Sequence, residues 1–164
     1  MSGALFMKKQ EVCNMTYEQY KKRVAAISRW FDGYIIETFH SVHQFGHLEK
    51  YHINKDNTFL MERSKRLKRD ISTFVGEERE IVAMLISCIL DNRQELIEYI
   101  ADVDDCDVWE ITGQLKAPVS GKSYHYNISH NWEDGALPCT HFKISFKKNE
   151  HSKNAIVITS AYPY

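Results

Sequence analysis

The stretch Gly46–Arg63, GHLEKYHINKDNTFLMER, decides how this chain is read. It carries His47 and His52, then Lys55, and it ends on Arg63 at the mouth of a basic run. A histidine trades a proton near neutral pH. An arginine keeps its charge, and its planar fork suits a phosphate. Between them, Asn54, Asp56, Asn57 and Thr58 offer caps for a helix, TFLMERSKRLKR, while His47 to Lys55 reads as extended or looped. Helical spacing gathers Phe59, Leu60, Arg63 and Leu67, so Arg63 lies beside the apolar face. A charge placed there has a partner or a task. The remaining cations, Lys65, Arg66, Lys68 and Arg69, read equally well as a solvated face or as phosphate contacts.

Upstream, residues 1–15 form a loose leader, and Thr16 with Gln19 has the pattern of a capping box. Tyr20, Val24, Ile27, Phe31, Ile35, Phe39 and Val42 then recur at helical spacing. Gly33 is a possible bend in this segment, and Gly46 is its expected stop.

Downstream, ISTFV at Ile71–Val75 reads as a short strand or turn. Glu77 opens a strongly apolar helix, which Asn92 divides. From Cys106 the period changes. CDVWEITGQL, KSYHYNIS, THFKISFKK and NAIVITSAYPY read as strands, separated by turn signals at 118–121, 131–135 and 149–154. Helices followed by strands predict an α+β fold, with N-terminal helices packed on a C-terminal antiparallel sheet.

The chain has 164 residues, 43% of them hydrophobic, which is enough for one domain with a real core. The net charge of -1 excludes a uniformly basic nucleic-acid binder, but the charge is uneven. Four cysteines, at 13, 88, 106 and 139, are too scattered for metal spacing and read as free thiols. No run is apolar enough to span a membrane, and no signal-peptide pattern opens the chain.

No Gly-rich phosphate loop, nucleophile elbow or paired cysteines are present, which leaves acid–base chemistry without a bound cofactor or metal. Ser160 and Tyr162 share one face of the last strand, with Val157, Thr159 and Ala161 expected on the other. A histidine, an arginine and hydroxyl donors meet the needs of one reaction in particular. RNA carries its own nucleophile, the 2′-hydroxyl, beside the scissile phosphate. Its cleavage needs only a base, an acid and donors aimed at the phosphorane oxygens.

The blocks GHLEKYHINKDNTFLMERSKRL, STF and the terminal VITSAYP resemble the bacterial ribonuclease A-like toxin domain. That domain is found at the C-terminal ends of CdiA contact-dependent inhibition proteins and other polymorphic toxins. The resemblance covers about residues 46–163. It implies a ribonuclease A-like domain over 46–164, preceded by a leader and helix over 1–45. It implies catalytic roles for His52, Arg63, Ser160 and Tyr162. Secondary candidates are His47, as a second proton-transfer group, and Lys55, as a further phosphate contact. Lys65 and Arg66 are further substrate contacts. It also implies a monomeric effector, without a signal peptide of its own, that acts on RNA (tRNA among the candidates) in the target-cell cytoplasm. A cognate immunity protein would be its partner. Two positions depart from the pattern: Asn54 stands where a Gly is usual, and Ser160 where a Thr is usual. Two rival readings are a non-catalytic nucleic-acid-binding module using the basic helix 63–69, and a zinc hydrolase using His40, His43, His47 and His52.

Overall fold

The computed structural model of the chain describes residues 15–105, 107–127, 135–149 and 151–164. The expected leader, Cys13 and Cys106, and most of the turn at 131–135 lie outside them. The fold is α+β: helices pack on two antiparallel three-stranded sheets rather than on one.

Helix α1 spans Tyr17–Thr38, and both bonds of the Thr16–Gln19 capping box are present. It runs unbroken through Gly33. Ile27, Phe31 and Ile35 are buried along one stripe, and burial of that stripe outweighs a glycine cost of about 1 kcal/mol. The helix ends at Thr38, well short of Gly46. Phe39 leaves helical geometry, and a second capping box, Ser41–Gln44, opens a single 3-10 turn over Val42–Gln44. Phe39 and Val42 are nevertheless buried, because the chain folds back over the same core.

Helix α2 is one turn, Leu48–Tyr51, where an extended or looped segment was expected. Helix α3 spans Asn57–Leu67, and the Asp56 carboxylate accepts from the Phe59 N–H. After strand β1, Ile71–Val75, come α4, Glu78–Asp91, and α5, Arg93–Ala101, divided at Asn92 as the sequence indicated. Arg23 of α1 donates to the carbonyls of Ile100 and Ala101 at the C-terminal end of α5. Arg93 of α5 pairs with Asp32 of α1 at 3.0 Å. These contacts bind α1 to α5 beside a shared apolar core that also takes in Ile81, Leu85, Ile89, Phe142, Ile144 and Ile158.

The strands are β2, Trp109–Gln114; β3, Ser120–Tyr124; β4, Leu137–Pro138; β5, His141–Asn149; and β6, Ser152–Pro163. One sheet has the order β1-β3-β4 and the other β2-β5-β6. The first is lined on one side by a small separate core of Leu60, Ile71 and Tyr124 under α3. Cys88 and Cys139 are free thiols.

Strand β6 departs from simple alternation. Ser145 pairs with Ser160, yet the next residue of β5, Phe146, pairs with Ile158. Thr159 is therefore the extra residue of a β-bulge, and its hydroxyl donates to the Ser145 carbonyl. The bulge reverses parity. Before it Ile156 and Ile158 point into the core; after it Ala161 and Pro163 do. Val157 is exposed, so it does not share the face of Ala161 as strict alternation predicted.

Candidate active site

Gly46 sits at φ +61 with its Cα against the Thr159 carbonyl, where a Cβ would overlap the bulge backbone. This glycine is the point where the loop before α2 meets strand β6. It is a close approach rather than the helix stop the sequence suggested. His47 follows it directly and lines a cleft of about 610 Å³ together with His52, Arg63, Ser160 and Tyr162. Tyr51, Arg69, Asp70, Ile71 and Ser72 complete the lining. The cleft therefore draws on α2, α3, β1 and β6, where the two sheets meet.

His52 terminates α2, and its Nδ1 lies 2.8 Å from the Ser72 carbonyl. A carbonyl only accepts, so Nδ1 carries the proton and Nε2 is the basic nitrogen of the neutral ring. Burial pushes the imidazole pKa below its usual value, partly offset by the Ser72 bond. The charges of Arg63, His47 and Arg69 lower it further. The ring stands 5.8 Å from that of Tyr162. The Tyr51 ring lies 6.4 Å from that of His52, and the His47 ring 5.8 Å from that of Tyr51.

Arg63 lies in the middle of α3. Its guanidinium carbon rests 3.6 Å from the centroid of the Tyr51 ring, and its buried Nε has no hydrogen-bond partner. A stacked guanidinium is oriented while its donors remain available to a ligand. The Tyr51 phenol is held below the usual tyrosine value, chiefly by Lys50 and less by Arg63. Arg69 reaches the same cleft because α3 ends in a left-handed residue, Lys68, and the buried Ser64 hydroxyl donates to the Arg69 carbonyl. Asp70 is the one carboxylate among the cleft residues. It is engaged elsewhere, accepting from His125 Nδ1 at 3.2 Å and from the Tyr126 N–H at 2.9 Å. His125 Nε2 in turn meets the Ser123 hydroxyl at 2.6 Å. That order matches a Ser–His–Asp triad, but Ser123 is 4% exposed on a paired strand, where no substrate reaches it.

Three of the expected substrate contacts fall outside this cleft. Lys55 follows Asn54, whose left-handed backbone at φ +48 turns the chain, and its ammonium lies over the Phe59 ring instead. That left-handed backbone is one a Gly adopts most readily. Asn tolerates it here by exchanging two hydrogen bonds with the Gly76 backbone. Lys65 and Arg66 are exposed on α3 and do not line the cleft. The four histidines of the zinc reading do not converge, because α1 ends before them. His40 contacts the Glu37 carbonyl, His43 pairs with Glu49 on the surface, and only His47 and His52 share the cleft. Among the described residues, no three His, Cys, Asp or Glu side chains gather as metal ligands.

Tyr51, Asp70 and Ser72 were not singled out by sequence, and Arg69 only as one cation of the basic run. Tyr51 needed the unexpected turn of α2. Ser72 contributes a backbone carbonyl, which no residue type signals. The Arg69–Asp70 pair, just ahead of a strand and at the end of a basic helix, was the one visible cue.

No known family matches the sequence, and no curated protein does. A solved structure does match: a chain in the crystal structure of the CdiA-CT/CdiI complex from Y. kristensenii. The TM-score is 0.59 at 18% identity, over 72% of this chain and 97% of that one. At that identity the likeness is one of fold. No helix among the described residues is long and apolar enough to cross a membrane.

Proposed function

We propose that the chain is a toxin of contact-dependent growth inhibition, a metal-independent endoribonuclease held in check by an immunity protein. The fold shared with a chain of a CdiA-CT/CdiI complex supports the toxin class and the partner. The observation that carries the chemistry is the His52 tautomer. Nδ1–H is spent on Ser72, so Nε2 is basic, and it faces a cleft that also holds Arg63, Ser160 and Tyr162.

In this mechanism Nε2 of His52 takes the proton of the 2′-hydroxyl as its oxygen attacks phosphorus. The bond from phosphorus to the 5′-oxygen breaks, and His47 protonates that leaving oxygen. Arg63, with Ser160 and Tyr162, donates hydrogen bonds to the non-bridging oxygens as charge builds on them. The products are a 2′,3′-cyclic phosphate and a 5′-hydroxyl. The pure protein should cleave RNA in EDTA and leave cyclic phosphate ends. RNA bearing 2′-O-methyl groups should resist. Activity abolished by EDTA and restored by zinc would overturn this chemistry.

A further inference from the structure

The outer face of the β2-β5-β6 sheet continues past the cleft. Cross-strand register sets Glu110, Ser145 and Ser160 in one row and Thr112, Lys143 and Tyr162 in the next. Gln114 and His141 pair in the third row, and Tyr164 joins His141 there through backbone bonds in both directions. The opposite face carries Ile111, Phe142, Ile144 and Ala161 in the core. Ser160 and Tyr162, the hydroxyl side of the cleft, thus open onto a second group of side chains one step along the same strand.

That step ends on a stacked pair. The rings of His141 and Tyr164 lie 5.9 Å apart at 27°, and Tyr164 is 50% exposed. His141 Nδ1 meets the Thr140 hydroxyl at 2.8 Å, which fixes its ring. Lys143, directly across from Tyr162 on β5, is held by Glu110 at 3.1 Å and lies 6.0 Å from the Tyr164 ring. An exposed, pre-stacked aromatic surface with a cation beside it is a platform for a flat π-system that carries phosphate. Alternate strand residues are spaced about 7 Å apart, a step of the size needed to pass from a phosphate to a neighbouring base.

We propose that Tyr164 and His141, with Lys143, form a nucleobase subsite that stacks one base of single-stranded RNA next to the scissile phosphate. This rests on the ribonuclease reading for its substrate. Tyr164 and His141 supply the stacking surface, and Lys143 accompanies the backbone between the base and the cleft. Such stacking tolerates any base, because every base presents a π-face.

The test uses a tetranucleotide RNA and a counterpart lacking the bases that flank the cut. Wild-type protein should cleave the complete RNA with kcat/KM roughly five- to a hundredfold above the abasic one. Tyr164→Ala should erase that preference and Tyr164→Phe should keep it, with unchanged circular dichroism in both. A Tyr164→Ala protein that retains the wild-type preference overturns the subsite and leaves the cleavage reading standing. Should the wild type cut neither RNA, binding of the 2′-O-methyl forms decides. A base preference that depends on Tyr164 upholds the platform while the catalytic reading falls, and equal binding removes both.

Discussion

His52 donates its Nδ1–H to the backbone carbonyl of Ser72 across 2.8 Å, joining the end of a one-turn helix to the first strand. The carbonyl is part of a paired strand, so it cannot turn away. The ring is thereby fixed in both tautomer and direction. His52→Ala should lower RNA cleavage by about two to four orders of magnitude, the usual worth of a positioned acid or base. Circular dichroism should show the fold retained. His40→Ala and His43→Ala, whose rings lie outside the cleft, should cleave as wild type.

The pH dependence follows from the same ring. Burial holds the folded-state pKa of His52 below its ordinary value. The base form therefore persists as pH falls through the normal histidine range, and the acid limb of kcat/KM should lie below about 6.5. Stability has a matching sign. The unfolded chain protonates first, so the His52 contribution is present above the unfolded pKa. It is lost as pH falls through the folded one. Urea midpoints of wild type and His52→Asn should converge on acidification; a constant difference from pH 7 to pH 5 would contradict the depressed pKa.

Arg63 has its guanidinium on the Tyr51 ring and a buried Nε without a partner. Arg63→Lys keeps the charge but loses both the stack and the fork, and should reduce kcat by roughly ten- to a thousandfold. Tyr51→Leu leaves the arginine unsupported and should cost less than Arg63→Lys. Single-turnover cleavage of one short RNA ranks the two. A Lys variant with wild-type kcat would show that charge alone suffices.

Gly46 is where two distant parts of the chain touch. Gly46→Ala forces a side chain into left-handed backbone, which alone costs about 1–3 kcal/mol, and it drives a Cβ into the Thr159 carbonyl. Denaturant titration should show a loss at or above the top of that range. The surviving folded protein should also cleave poorly, because His47 moves with its neighbour.

Much of the architecture was legible because the signals are local. The capping box at Thr16, the division at Asn92 and the strands β2, β5 and β6 follow from spacing and from residue type. KSYHYNIS was a misreading: β3 spans Ser120–Tyr124 and begins within the expected turn at 118–121, because its pairing with β1 sets its limits, and β4 gave no sequence signal. The α+β class follows from their order. Local signals misled where packing overrode them. Gly33 reads as a break but lies in a helix whose buried stripe is continuous across it. Val157 reads as sharing a face with Ala161, but a bulge that leaves no mark in composition separates them.

Residue type alone tells which groups for phosphate chemistry are present, and alternation puts Ser160 and Tyr162 on one strand face. Which of these groups meet is set by long-range packing. His52 and Arg63 are brought to Ser160 and Tyr162 by the approach of Gly46 to the bulge and by the pairing of β1 with its neighbours. Lys55, close in sequence to His52, is turned away by a single left-handed residue. The reason is physical. Periodicity and capping act over a few residues, whereas a cleft is closed by contacts between segments far apart in the chain, and their geometry depends on how the intervening core packs.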